Sequence, residues 1–514
     1  MFGFGRSAKM KKTGDGRLTG KETCEELSAC YEETLARLKA LFQNDDLMQF
    51  REIRNKQTAD QRFCLLYCDG LVDLNLIESH LIKPLLTMRL SAQEPLTLAT
   101  LWEQVIQTGS GKPVSRYPEI VRAVTGGDTF LFVEGLREGL LFSVKSFEKR
   151  SVSEPEGEKI LSGPREGFTE SLIGNLSMLR RKIRTERLKM RFCYCGRQTD
   201  TQLCIAWLED IVNPSVLKEL NRRLEAIDID AVLDANYITE LVRDNPWSPF
   251  RSVGYTERPD VVAGKLLEGR VALFVDGTPV VLTVPYLFIE NFQSGEDYYL
   301  NFYYTSFSRL LRILGFFLAI MVPAVYVAVV AYHQEMLPAP LLISIAVERQ
   351  GVPLPAALEA FFMLIVFDIL RETGLRMPTH VGQALSIVGA LVVGQAAVEA
   401  KLVAAPMIIV VALTGITSLL IPKMNAPVII ARFGMLALAS SLGFLGVTLG
   451  FALLLAHVLA LRSFGVSQLN PDREWTYQEV KDTLLRAPWW QMRLRPDRLS
   501  ANSVRERSGK EKQT

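Results

Sequence analysis

Four stretches without a charged side chain constrain this chain more than any other feature: Ile313–Gln334, Met377–Val398, Leu402–Pro422 and Phe433–Leu461. About 20 apolar residues of helix cross the ~30 Å of bilayer hydrocarbon, and each stretch is long enough. A helix satisfies its own backbone polar groups there, which an isolated strand does not. Buried core helices of a soluble protein explain four such runs poorly. The overall composition hides the pattern, with 22% charged residues and a net charge of +2.

Residues 1–22 are polar and basic, with Arg6, Lys9, Lys11, Lys12, Arg17 and Lys21 and no apolar run behind them. No signal peptide is expected from that pattern, so the region before residue 309 is expected to stay in the cytosol. Arg309 and Arg312 at the mouth of the first run agree with that side. All seven cysteines precede residue 205, in the region read as cytosolic, which argues against a disulfide framework. The pairs Cys64/Cys68 and Cys193/Cys195 lack zinc spacing and matching histidines, so they read as reduced thiols.

The cytosolic region repeats itself. RFCLLYCDGLVD (62–73) matches QLCIAWLEDIVN (202–213) at an offset of 140, and TFLFVEG (129–135) matches VALFVDG (271–277) at 142. Each copy reads as strand, helix, connection, helix and β-hairpin. In the second copy these are Gln202–Trp207, Pro214–Ile227, Pro259–Glu268, and Val271–Val275 with Val280–Val284 around a turn at Asp276–Pro279. Alternating helices and strands predict α/β layered subdomains.

Neither copy shows a phosphate loop, a dinucleotide turn or a nucleophile–base pairing of workable spacing. The four histidines, His80, His333, His380 and His457, leave little for acid–base work. Gly126-Gly127-Asp128 before a strand reads as a turn, with a phosphate loop as the lesser alternative. No enzyme activity, cofactor, metal site or nucleic-acid partner is expected.

Several long segments resemble the A subunits of the GerA family of spore germinant receptors. They are Gly163–Arg181, Ser248–Tyr299, His333–Pro355, Gly382–Val398 and Arg462–Val466. The resemblance runs from about Asp45 to Asn470. It implies a multi-pass subunit of the spore inner membrane with a cytosolic N-terminal region. It also implies a homo-oligomeric ring and two partners, a transporter-like B subunit that holds the nutrient and a lipoprotein C subunit. The implied function is a ligand-gated cation channel that triggers germination; the alternative is a non-conducting scaffold or sensor. Asp368 stands where the family pattern leads one to expect Glu, and keeps the carboxylate.

The expected fold class is α/β plus all-α membrane: two duplicated cytosolic subdomains followed by a polytopic helix bundle. The expected divisions are a basic tail and lead-in (1–45), subdomain 1 (46–150), a charged joint and helix (151–190), and subdomain 2 (191–308). A transmembrane bundle (309–465) and an amphipathic, disordered tail (466–514) follow. Trp489 and Trp490 in that tail suit either the membrane surface or a docked partner.

Within the bundle, small residues crowd the helix from Gly382 to Val398, which favours close helix packing. Gln383, Ser386, Ala390, Val393 and Ala397 fall near one face and suit packing between helices. Val388, Val392, Gln395 and Glu399 fall opposite, as apolar rings followed by an amide and a carboxylate, the order of a cation pore. An interior helix with Glu399 in interfacial water is the plainer reading. Glu359 and Asp368 are carboxylates at membrane depth, where a cation path and a salt bridge to Arg349 or Arg371 compete. Spans at 313–334, 355–371, 379–398, 402–421 and 433–461 make five crossings. Five would put the C-terminus outside, although the tail from Arg462 to Lys512 is basic and belongs inside, so either one segment is re-entrant or the long last run, ~45 Å at about 1.5 Å per residue, is not a single span.

Overall fold

In the computed structural model, the described residues are 26–55, 61–88, 96–106, 111–146, 157–158, 160, 162–377, 389, 392–469, 482–492, 494–496, 499–501 and 505. The chain divides into two compact units, 1–43 with 48–146, and 44–47 with 147–514.

The first unit holds β1 (Met48–Asn55), β2 (Gln61–Cys68), β3 (Gly111–Val114), β4 (Thr129–Val133) and β5 (Gly139–Phe142) in the order β1-β2-β4-β5-β3. The second unit holds β6 (Leu188–Cys195), β7 (Thr201–Leu208), β8 (Gly254–Thr256), β9 (Val271–Val275) and β10 (Val281–Val284) in the order β6-β7-β9-β10-β8. The two orders are the same. So is the register: Cys64 faces Phe132 as Cys204 faces Phe274. Gly135 and Gly277 turn the two hairpins at φ 85 and 82, and Gly127 and Gly269 precede the central strands at φ 92 and 96. The residues around Gly127 form a helix end, with Asp128 N bonded to Ala123 O at 3.0 Å, so the segment is a turn.

Both sheets are antiparallel throughout, which corrects the expected α/β layering. The difference comes from strands that hydrophobicity does not mark. In β1, Arg51, Glu52 and Arg54 are exposed, and β6 carries a buried Lys189 and an exposed Arg191; both are edge strands, where charged residues interrupt the apolar pattern. Strand β6 therefore crosses the boundary expected at 191. The lead-in also contributes structure. Helix α1 (Tyr31–Leu41) stacks Tyr31 on Phe132 with centroids 5.7 Å apart. Burial pushes the Cys64 thiol up to about 12, so it stays protonated and packs as an apolar side chain.

Helices beside the sheets, among the described residues, include α2 (Tyr117–Val124), α3 (Leu172–Lys182), α4 (Pro214–Glu225), α5 (Ala235–Val242) and α6 (Pro259–Leu267). In the second unit α4 and α5 cover one sheet face, burying Val216, Leu220 and Ile238 against Leu203, Ile205 and Leu273. Arg180 of α3 pairs with Asp45 inside this unit, both side chains fully buried. Arg180 also donates to the Thr185 and Leu188 carbonyls at 3.1 Å, which ties 44–47 to the joint.

The helical half contains α7 (Phe302–Tyr332), α8 (Ala339–Arg349), α9 (Ala356–Arg376), α10 (392–399), α11 (Ala405–Leu419), α12 (Asn425–Leu442) and α13 (Phe444–Ala460). Among the described residues, two segments, Phe302–Tyr332 and Pro422–Leu442, are long and apolar enough to cross a membrane. The run 433–461, expected as one span, is two helices that break at Gly443 (φ 60, ψ −135) and fold back on each other. Gly446 meets the Leu438 carbonyl and Gly450 meets Met435, so small residues let α12 and α13 close up.

Candidate functional site

The start of α7 is built to carry charge. Asn301 caps it, its side chain accepting from Tyr303 N at 3.0 Å, and the turn just before, Gly295–Tyr298, carries Asp297. Arg309, two turns into α7, is fully buried and Arg312 mostly so, and buried guanidinium groups need carboxylate partners. Arg309 Nε donates to Asp297 Oδ2 at 2.7 Å, and Arg312 Nη2 donates to Asp297 Oδ1 at 3.0 Å. Arg309 Nη1 also reaches Asp482 Oδ1 at 2.9 Å, and the Tyr298 hydroxyl donates to Asp482 Oδ2 at 2.8 Å. Burial raises the Asp482 carboxyl above its usual range against the pull of Arg309.

Next to this collar lies a second charged group. Glu290 accepts from Arg270 Nη2 at 2.8 Å and from Leu287 N at 3.0 Å, and pairs with Lys265 Nζ at 3.0 Å. Burial pushes its carboxyl up, but Arg270 and Lys265 outweigh that and hold it at about 2. Arg270 also binds Glu268 at 2.7 Å, and Arg505 reaches the same carboxylate at 3.2 Å.

Other contacts fix which ends of the bundle lie beside the second sheet. Lys423, on the turn Pro422–Met424 between α11 and α12, pairs with Glu158 of the joint at 3.1 Å. After α13 a small hairpin, β11 (Arg462–Ser463) and β12 (Val466–Ser467), docks on the same unit. There Ser463 Oγ donates to Ser252 O at 2.6 Å, and Phe464 enters the core of the second sheet. The described tail residues continue onto it: Leu499 is fully buried and Ala501 N bonds Ile211 O at 2.9 Å. The expected tail, amphipathic over Glu474–Met492 and disordered beyond, is ordered instead where its end is described, because an apolar residue such as Leu499 has a surface to cover. At the other end, Gly443 lies against Tyr332 and His333, where α7 finishes.

Of the residues singled out on the helix from Gly382, Gln383, Ser386, Val388 and Ala390 lie outside the described residues. Gly394 approaches Ile408 of α11, and Ala397 packs in the same cluster. Val392, Val393, Gln395 and Glu399 are exposed in the single chain, with Gln395 Nε2 donating to Glu399 Oε1 at 2.9 Å.

The two deep carboxylates are held separately. Glu359 is fully buried, accepting from Arg349 at 3.0 Å and from Ala404 N at 2.5 Å. Asp368 lies 3.5 Å from Arg371 and pairs closely with Arg432. Arg432 escaped the sequence reading, as did Asp297, Glu290 and Asp482. A lone arginine inside an otherwise apolar helix was the available signal for Arg432. The other three look like ordinary loop or tail carboxylates.

Comparison with known proteins follows this geometry. Residues 36–498 match the model of the family described as Bacillus/Clostridium GerA spore germination protein. The chain is 42% identical over 463 residues to spore germination protein KA of Bacillus subtilis (strain 168), covering 90% of this chain and 85% of that one. It is 41% identical to the uncharacterized membrane protein YfkQ (84% of each chain) and 36% identical to spore germination protein B1 (90% and 95%), both of the same strain. It also resembles the crystal structure of the N-terminal domain of the A subunit of the Bacillus megaterium spore germinant receptor GerK3. That match has 31% identity and a TM-score of 0.42, covering 52% of this chain and 98% of that one. The matched length and identities make this chain a member of the GerA spore germination protein family.

Proposed function

We propose that this chain is an A-type subunit of a spore germinant receptor, crossing the spore inner membrane with its N-terminal sheets in the cytosol. The break at Gly443 turns the five expected crossings into six, formed by α7, α9, the apolar run 379–398, α11, α12 and α13, with the apolar part of α8 too short to span. An even number returns the basic tail to the cytosolic side, in line with its contacts to the second sheet.

The chain acts as one member of a ring that conducts cations when a transporter-like B subunit binds nutrient, with a lipoprotein C subunit as the third component. The observation that carries this reading is α10: its Gly394 and Ala397 side packs on α11, while Val392, Gln395 and Glu399 stay exposed; Val393, expected on the packing face, is exposed in the single chain as well. An exposed apolar and acidic stripe within a bundle needs lipid, a neighbouring subunit or a water-filled path, and a ring supplies the last two. The collar at α7 and the Lys423–Glu158 pair carry movement between the cytosolic part and the bundle.

The test is cation flux through the reconstituted assembly. Val392→Ala is expected to raise leak in the resting state, and Glu399→Gln to reduce preference for cations over anions. Unchanged leak and selectivity in both variants would remove this helix from the path. A purified chain that stays monomeric and passes no ions would favour the scaffold reading.

A further inference from the structure

Arg486 N donates to Ser306 Oγ at 3.1 Å, and its guanidinium lies over the rings of Tyr298 and Trp489 at 5.7 and 5.5 Å. These contacts hold Trp489 and Trp490 beside the first turn of α7, where Trp490 meets Phe302 edge-on at 6.0 Å. Both tryptophans remain exposed, at 55% and 69%. Tyr303, Tyr304 and Phe307 on the first turns of α7 are exposed as well, at 74%, 60% and 59%. Buried aromatic rings are worth several kcal/mol, so five exposed together mark a surface made for contact.

The stripe they begin runs on along one side of α7 through exposed Leu310, Leu314 and Phe317. Its chemistry changes on the way, from rings with a polar edge at the helix start to pure hydrocarbon further in. That gradient matches a bilayer leaflet, in which tyrosine and tryptophan sit at headgroup level and leucine and phenylalanine in the acyl layer. A protein partner imposes no such order. Trp247, 97% exposed, lies at the same end of the bundle, since the next residue, Ser248, bonds His457 in the last turn of α13 at 2.9 Å.

We propose that Trp489 and Trp490, with Tyr303, Tyr304 and Phe307, form an aromatic shelf embedded in the headgroup layer of the leaflet through which α7 enters. The tail that follows Asp482 is then a membrane-surface anchor as well as a contact of the second sheet. The inference rests on the reading of α7 as a membrane span.

The experiment uses the full chain in phosphatidylcholine vesicles brominated either near the glycerol end of the acyl chains or near their methyl ends. In a variant with Trp102→Phe, Trp207→Phe, Trp247→Phe and Trp475→Phe, only the shelf tryptophans emit. Their emission is expected to be lost more to the shallow bromines than to the deep ones. A second variant lacking all six native tryptophans and carrying Phe317→Trp reports on α7 itself, with the opposite order expected. Shelf emission indifferent to both bromine positions, or quenched more by the deep set, overturns the proposal while the Phe317→Trp signal still supports the span. If the Phe317→Trp signal is itself unquenched, the span reading falls and takes the shelf with it. Trp489→Phe with Trp490→Phe in a chain that also carries Trp247→Phe should remove the shallow-quenched share of emission; if that share persists, the shelf is not its source and the proposal falls.

Discussion

Arg309 and Asp482 are 173 positions apart in the chain and bonded at 2.9 Å, with the arginine side chain fully buried. The pair fastens the tail to the head of α7 at the point where Asp297 already holds the same guanidinium.

Asp297 is the more critical of the two carboxylates, because it answers both Arg309 and Arg312. Asp297→Asn leaves Arg312 with no carboxylate and the buried Arg309 with Asp482 alone, and breaking a buried pair typically costs about 3–5 kcal/mol. The melting temperature of the purified protein should fall well below that of Asp482→Asn, in which Arg309 keeps Asp297. The sign of Asp482→Asn is instead faster proteolysis of the tail. Equal melting temperatures for the two variants would contradict this order.

Glu290 gives the second sheet an acid limb. Its folded value of about 2 lies below the ~4.3 of an unfolded glutamate, so its contribution is fully present above the unfolded value. It is lost as pH falls from there through the folded value. The shift corresponds to roughly 3 kcal/mol. Thermal melts between neutral pH and pH 2 should show this loss in the native chain and a flatter limb in Glu290→Gln. An acid limb of the same slope in both would exclude Glu290 as its source.

Gly443 and Gly434 form a matched pair on α12. At Gly443 a Cβ would lie 2.9 Å from His333 Cε1 and 3.0 Å from Tyr332 Cβ, on a backbone (φ 60, ψ −135) that side chains avoid. Gly443→Ala should cost at least about 1–3 kcal/mol and loosen the α12–α13 turn. At Gly434 nothing lies within 4 Å, and alanine there should be neutral or stabilising by up to about 1 kcal/mol. Hydrogen exchange across Leu442–Phe444 separates the two cases.

Arg432 and Asp368 test whether deep charge here is structural. Asp368→Asn alone strands a buried guanidinium and should reduce the yield of folded protein. Asp368→Asn combined with Arg432→Met removes both charges and should restore much of it, since an apolar replacement of a buried pair is often neutral. Restored folding with lost cation flux would instead assign the pair to the conducting path.

The turn between α11 and α12 should face the cytosol, because Lys423 meets Glu158 there at 3.1 Å. Lys423→Cys is expected to react with an impermeant maleimide in inside-out vesicles and to be protected in right-side-out ones. The reverse pattern would refute the six-span order.

Much of this protein was legible one residue at a time. Charge-free runs announced the long apolar helices α7, α11, α12 and α13, because an unbroken apolar run favours helix. The offset of 140 between Cys64 and Cys204 announced the repeated unit, because duplicated strands keep their apolar alternation. What sequence patterning left open depended on neighbours. The outer strands β1 and β6 carry charges that interrupt their apolar pattern, so their pairing is visible only against β2 and β7. Asp297, Glu290 and Asp482 read as loop and tail carboxylates until folding placed Arg309, Arg312 and Arg270 against them. The turn at Gly443 lies inside an unbroken apolar run, and hydropathy is blind to a backbone φ of 60. Local composition decides whether a segment prefers lipid or water. Which charge meets which, and where a helix doubles back, depends on residues distant in sequence, and only the tertiary structure brings those together.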